Sequence, residues 1–133
     1  MLRALVTAGA YTANTNIPLT LDAATNNKAT LITSGPDANT IRLNTWGLED
    51  IKANIVFTAT AAGDVTAQLF ADGVAVPGAL ATYTATAAGT VTFNINDVLR
   101  VVPALYPEYA NISVQIDAAG TLVGGAVVAE YRR

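Results

Sequence analysis

Histidine and cysteine are both absent from this chain of 133 residues. Without imidazole or thiol there are no disulfides, no His/Cys metal sites, no Ser–His or Cys–His nucleophile pairs and no imidazole acid–base catalysis. Charge is scarce as well. Asp, Glu, Lys and Arg make up 13 % of the residues, about half the usual share of a globular domain. Seven basic residues face ten acidic ones, a formal charge of −3, and Arg132-Arg133 is the sole adjacent basic pair. Phosphate backbones need more cationic surface than that, so nucleic acid is disfavoured and is not expected as a partner. No run of about 18 apolar residues crosses a membrane as a helix, and the N-terminal apolar stretch, broken by Thr7 and Gly9, is short for a secretory leader. Glycine-rich phosphate-binding motifs are missing. No stretch longer than about ten residues sustains the 3.6-residue period of a helix; the nearest candidate is 95–102.

The carboxylates left over do not assemble into a motif. Asp22, Asp37, Asp64, Asp72 and Asp97 fall in turn-like segments, where Asp bonds to its own backbone. Glu49-Asp50 stand together without the DxDxDG spacing of a calcium loop. The expectation is a non-enzymatic protein with no metal and no cofactor.

What fills the space is Ala, Thr, Asn and Gly within a hydrophobic share of 52 %. One domain spanning 1–133 is expected, with 1–16 as a candidate separate strand or arm. A surface so poor in charge is expected to hide part of itself, most simply against other copies of the chain.

Two-residue alternation dominates the chain. Strands are expected at 3–7, 17–21, 28–33, 40–45, 51–61, 65–71, 74–76, 79–87, 90–95, 111–117 and 122–131, while 98–102 is an apolar run ended by Pro103 that suits strand as well as helix. Residues 9–16 and 22–27 read as loops, Trp46–Asp50 as a tight connection, and Pro77-Gly78 as a turn. Asp72-Gly73 is the strongest hairpin signal. Gly124-Gly125 inside the last strand marks a bulge or a close backbone approach. Residues 57–66 and 83–92 echo one another at eight of ten positions, which reads as one hairpin each, too few for a repeat architecture. The composite is all-β: a sandwich, jelly roll or barrel of about eight to ten antiparallel strands.

Ala and Thr bury little apolar area each, at about 25 cal/mol per Å². The core is therefore expected to rest on the larger residues, among them Leu21, Ile41, Leu43, Trp46, Ile55, Phe57, Leu69, Phe93, Ile112 and Ile116. Phe70 is out of phase with Leu69, so one of the two faces away from the core. Tyr106, Glu108 and Tyr109 occupy the one segment that breaks the strand pattern. With Trp46 they form a candidate ligand or partner surface, because aromatics beside a carboxylate suit hydroxyl-rich ligands. The alternative function on this ground is a carbohydrate-binding module.

The run Gly47–Thr58 resembles the "G-x-Y-x-I/V-x-x-x-V-x-F" strand of the tumour-necrosis-factor/C1q-like jelly rolls. The hairpin at 65–78 resembles the "V-x-L-x-x-D/N-G-x-x-V-P-G" segment of bacterial and phage members, and the closing strand at 126–132 their final apolar strand. Where relatives often carry an aromatic that helps the trimer core, two residues after the glycine, this chain has Glu49. The resemblance implies a TNF/C1q-like jelly-roll β-sandwich and a homotrimer. It also implies a structural role on a virion or cell surface: capsid decoration, head fibre, fibre tip or spore surface, working in attachment or adhesion. The partners so implied are the chain itself, a capsid or other surface protein, and surface glycans, without membrane insertion. Phe70, Phe57, Tyr83 and Phe93 are the candidate subunit interface.

Overall fold

The computed structural model describes residues 1–25, 28–103, 105–106 and 109–132. Within them lie eleven strands: β1 (Leu2–Val6), β2 (Gly9–Tyr11), β3 (Leu19–Ala24), β4 (Ala29–Ile32), β5 (Thr40–Leu43), β6 (Gly47–Ala59), β7 (Gly63–Ala71), β8 (Val74–Ala85), β9 (Thr90–Val101), β10 (Ala110–Ile116) and β11 (Gly120–Arg132). They form two antiparallel sheets. The first runs β3-β1-β11-β6-β9, with β2 also paired to β11; the second runs β4-β5-β10-β7-β8. The N-terminal segment is woven into the first sheet, Leu2 standing opposite Ala129. The chain changes sheet at β3–β4, β5–β6, β6–β7, β8–β9, β9–β10 and β10–β11, the double-sheet plan of a jelly roll.

Inward residues of both sheets interdigitate into one core. Along β6, Ile51, Ala53, Ile55, Phe57 and Ala59 are buried in alternation with exposed or partly exposed neighbours. Phe57 sits at the centre, its ring edge-on to Tyr11 at 6.1 Å and 6.3 Å from Phe93, so the aromatics provide the area that alanines cannot. Tyr11 ties the two sheets together. Its hydroxyl accepts the Ile116 N–H at 2.9 Å and donates to the Thr15 carbonyl.

The expected strands are largely present, with differences that have physical causes. Residues 46–50 are not a connection: β6 starts at Gly47 because Leu48 and Glu49 pair with Arg100 and Leu99 of β9. Residues 22–24 extend β3, and 9–11 form β2, each drawn into strand form by a neighbour remote in sequence. Residues 90–101 are one strand, the helix candidate included. Pro77-Gly78 is a bulge within β8 rather than a turn. The Gln68 side-chain amide reaches the carbonyls of Leu69, Val76 and Ala79 at 2.9, 2.8 and 3.1 Å, which satisfies the groups the bulge frees.

The two echoed segments are not hairpins. Each crosses between the sheets, β6 to β7 and β8 to β9. The crossings lie side by side, with the Ala88 N–H donating to the Ala59 carbonyl at 2.9 Å. Their likeness reflects one local demand met twice. Asp72-Gly73 is the two-residue hairpin its sequence announces, with φ of 51° and 78° as a type I′ turn requires. Gly124-Gly125 lies at a register shift against β6. A Cβ on Gly125 would stand 2.0 Å from the Asn54 carbonyl oxygen, at a φ of 128°.

Candidate interaction surface

At the end of the sandwich where β5 turns into β6 and β9 leads to β10, the structure gathers Trp46, Tyr106 and Tyr109. Glu108 lies outside the described residues. The three aromatics do not share a cleft. Tyr106 packs against the core and lines a groove of about 320 Å³ with Asp72, Leu105 and residues 74–77. Burial, and secondarily the Asp72 carboxylate, push its phenol pKa up. The Tyr109 ring is already covered by the Arg42 guanidinium, 4.1 Å from its centroid. Trp46 is exposed rather than part of the core, and its carbonyl accepts the Tyr131 hydroxyl at 3.4 Å.

Of the candidate interface aromatics, Phe57 and Phe93 are fully buried in the core of the single chain and leave no surface for a neighbour. Their place in phase with core-facing runs explains this. Tyr83 is 42 % exposed on β8 with its ring edge-on to Phe93 at 5.5 Å. Phe70 points outward from the second sheet, beside Ser113 and Ala75. Glu49 stands where the resembled strand often carries an aromatic. It is only 1 % exposed and faces the interior of its own chain, not a neighbour. Among the described residues, its Oε1 is the one buried side-chain atom without a hydrogen-bond partner. Burial raises its pKa to about 7; the Met1 ammonium and Lys28 pull it down, and Asp50 pushes it up.

The outward face of the first sheet divides in two. Toward the loop end it is charged, with Arg3, Lys52, Asp50, Glu130, Arg100 and Arg132 on neighbouring strands. Arg3 is paired with Asp22, and Arg132 with Asp50 at 2.7 Å. Toward the opposite end charge disappears across four strands. Leu5 stands beside Ala126, Asn54 and Asn94, followed by Gly124, Val56 and Thr92, then Thr121, Thr58 and Thr90. Two cross-strand contacts stiffen this patch: Asn54 donates to Asn94 at 2.7 Å, and the Thr58 and Thr90 hydroxyls meet at 3.0 Å. Beside it run the unpaired edges of β8 and β9, carrying Tyr83 and the 46 % exposed Leu80. Periodicity showed which residues share a strand face. It held no signal for which faces become neighbours.

No family model matches the sequence, and no curated protein does. Among solved structures the chain is similar to murine APRIL in its crystal structure at pH 5.0. The TM-score is 0.62 over 95 % of this chain and 97 % of that one, at 11 % identity. At that identity the likeness is one of fold, and with two antiparallel sheets and no helix among the described residues, the fold is a tumour-necrosis-factor-like jelly roll.

Proposed function

We propose that this chain is a non-enzymatic structural domain that assembles as a homotrimer on a virion or cell surface and serves in attachment. The observation that carries the reading is the uncharged patch of Leu, Ala, Gly, Val, Thr and Asn across β1, β11, β6 and β9. It is stiffened and cheap to desolvate, because it holds no charge to strip of water. The β8–β9 edge with Tyr83 and Leu80 supplies a second, different surface on the same chain. A face meeting an unlike edge is a heterologous contact, which closes into a ring when the rotation allows. The threefold number, and placement on a bacterial or phage surface as a decoration, head-fibre or fibre-tip domain, rest on the family resemblance of 47–58 and 65–78.

Multi-angle light scattering at micromolar concentration tests the assembly. A particle of about three times the 13.7 kDa chain is expected. A clean monomer overturns it.

A further inference from the structure

We infer that the outward face of the second sheet carries a binding groove for a short, neutral oligosaccharide. The site adjoins the Tyr106 groove at Asp72 and Ala75 but is lined by neither Tyr106 nor Tyr109, and it makes no use of the first sheet. Two clefts of about 360 and 240 Å³ adjoin there and share Gln115 as their common wall. Together they fall in the usual range of small-molecule sites, about 300–1,000 Å³. The larger is polar, with Ser113 at 7 % exposure as its floor and Asn16, Asp37 and Asp72 around it. The smaller contains Phe70, the outward aromatic that the core does not claim.

The chemistry of this set points to hydroxyl groups. Gln115 donates its amide to Asn16 Oδ1 at 3.0 Å, which fixes both side chains and leaves the Gln115 carbonyl oxygen for a ligand. Asp72 uses Oδ1 to accept the Asn111 N–H at 2.8 Å, which leaves Oδ2. The Ser113 hydroxyl both donates and accepts. A row of acceptors with the hydroxyls of Ser113, Thr40 and Thr66 matches ligands rich in O–H donors, and an aromatic beside them matches the C–H face of a sugar ring. Asp37 and Asp72 at the rim disfavour acidic sugars. Nearby, Arg42 is held by Asp37 at 4.0 Å, Asn111 at 3.3 Å and the Tyr109 ring. The positions on β7 and β10 are mid-sheet, which fixes that wall of the groove.

Sites on the second sheet stay outward if the first sheet is covered by other copies. The groove thus deepens the attachment reading and rests on it for its use: one groove per copy adds avidity. The probe is a panel of neutral gluco-, galacto- and manno-configured oligosaccharides with sialylated and sulfated controls. It is followed by calorimetry on the wild type, Phe70→Ala, Gln115→Ala and Tyr106→Ala. Neutral glycans are expected to bind, with affinity falling at least tenfold in Phe70→Ala and Gln115→Ala and unchanged in Tyr106→Ala. Chemical-shift mapping on the wild type should place the sugar on β7 and β10, whether or not a variant folds. A blank neutral panel, binding of acidic glycans alone, or binding lost only in Tyr106→Ala overturns the groove. Light scattering on the same samples separates the two readings. A trimer with a blank panel removes the groove alone, and a monomer that binds sugar removes the assembly alone.

Discussion

Glu49 is the residue whose environment departs furthest from its chemistry. A carboxyl at 1 % exposure with an unsatisfied oxygen is stable in the fold chiefly when protonated. Its folded pKa of about 7 lies above the usual 4.5. The folded state therefore holds a proton that the unfolded state releases as pH passes about 4.5. The stability linked to this group is fully present below about 4.5 and is lost as pH rises through about 7, a change on the order of 3 kcal/mol. Urea denaturation at pH 4.5, 6 and 8 should show wild-type stability falling across this window, while Glu49→Gln stays nearly level. A level wild-type profile would show that the carboxyl finds a partner or water. The position itself was visible in the sequence as a departure from the resembled strand. Its burial was not, because Glu49 follows what reads as a glycine turn, and only pairing with β9 and β11 extends the strand back to include it.

At the scale of elements, local signals did best where a turn or an alternation closes on itself. Asp72-Gly73 needs no distant partner to adopt positive φ, and the long run of β6 needs only its own period of two. Signals failed where an element is completed by something remote. Pro77-Gly78 looks like a turn, yet β8 continues through it because the Gln68 amide fills the defect. Phe70 and Leu21 look like core by type, but the register turns Phe70 outward on the second sheet and leaves Leu21 exposed on β3. The glycine pair in β11 is where both kinds of information agree. Gly125→Ala would place a methyl against the Asn54 carbonyl at a φ that alanine rarely adopts. Thermal unfolding should show a loss of about 3 kcal/mol or more, or no soluble product. A cost below about 1 kcal/mol would mean that β6 and β11 separate easily at this point.

The whole molecule presents two sheets with different outward faces. The first carries the uncharged patch, the second a polar cleft with an aromatic beside it. If the patch is the contact between copies, a charge placed in it should weaken association without unfolding the chain. Val56→Lys is expected to reduce the assembled mass toward that of the single chain, with at least tenfold weaker association, about 1.4 kcal/mol. Thr30→Glu, on β4 at the far edge of the second sheet, should leave the mass unchanged. Sedimentation velocity distinguishes them, and equal behaviour of the two variants would place the contact elsewhere.

By itself the sequence determined the all-β class, most strand positions and the Asp72-Gly73 hairpin. It also excluded imidazole and thiol chemistry. These follow from composition and from a side-chain period that each segment carries alone. Only the tertiary structure decided that Leu2 stands opposite Ala129, that Glu49 is enclosed, that Phe57 and Phe93 are core rather than interface, and that Phe70 and Gln115 border one groove. Strand pairing joins residues more than a hundred positions apart. A period of two states that a strand has two faces, while the neighbours that hydrogen-bond to its edges decide what each face meets.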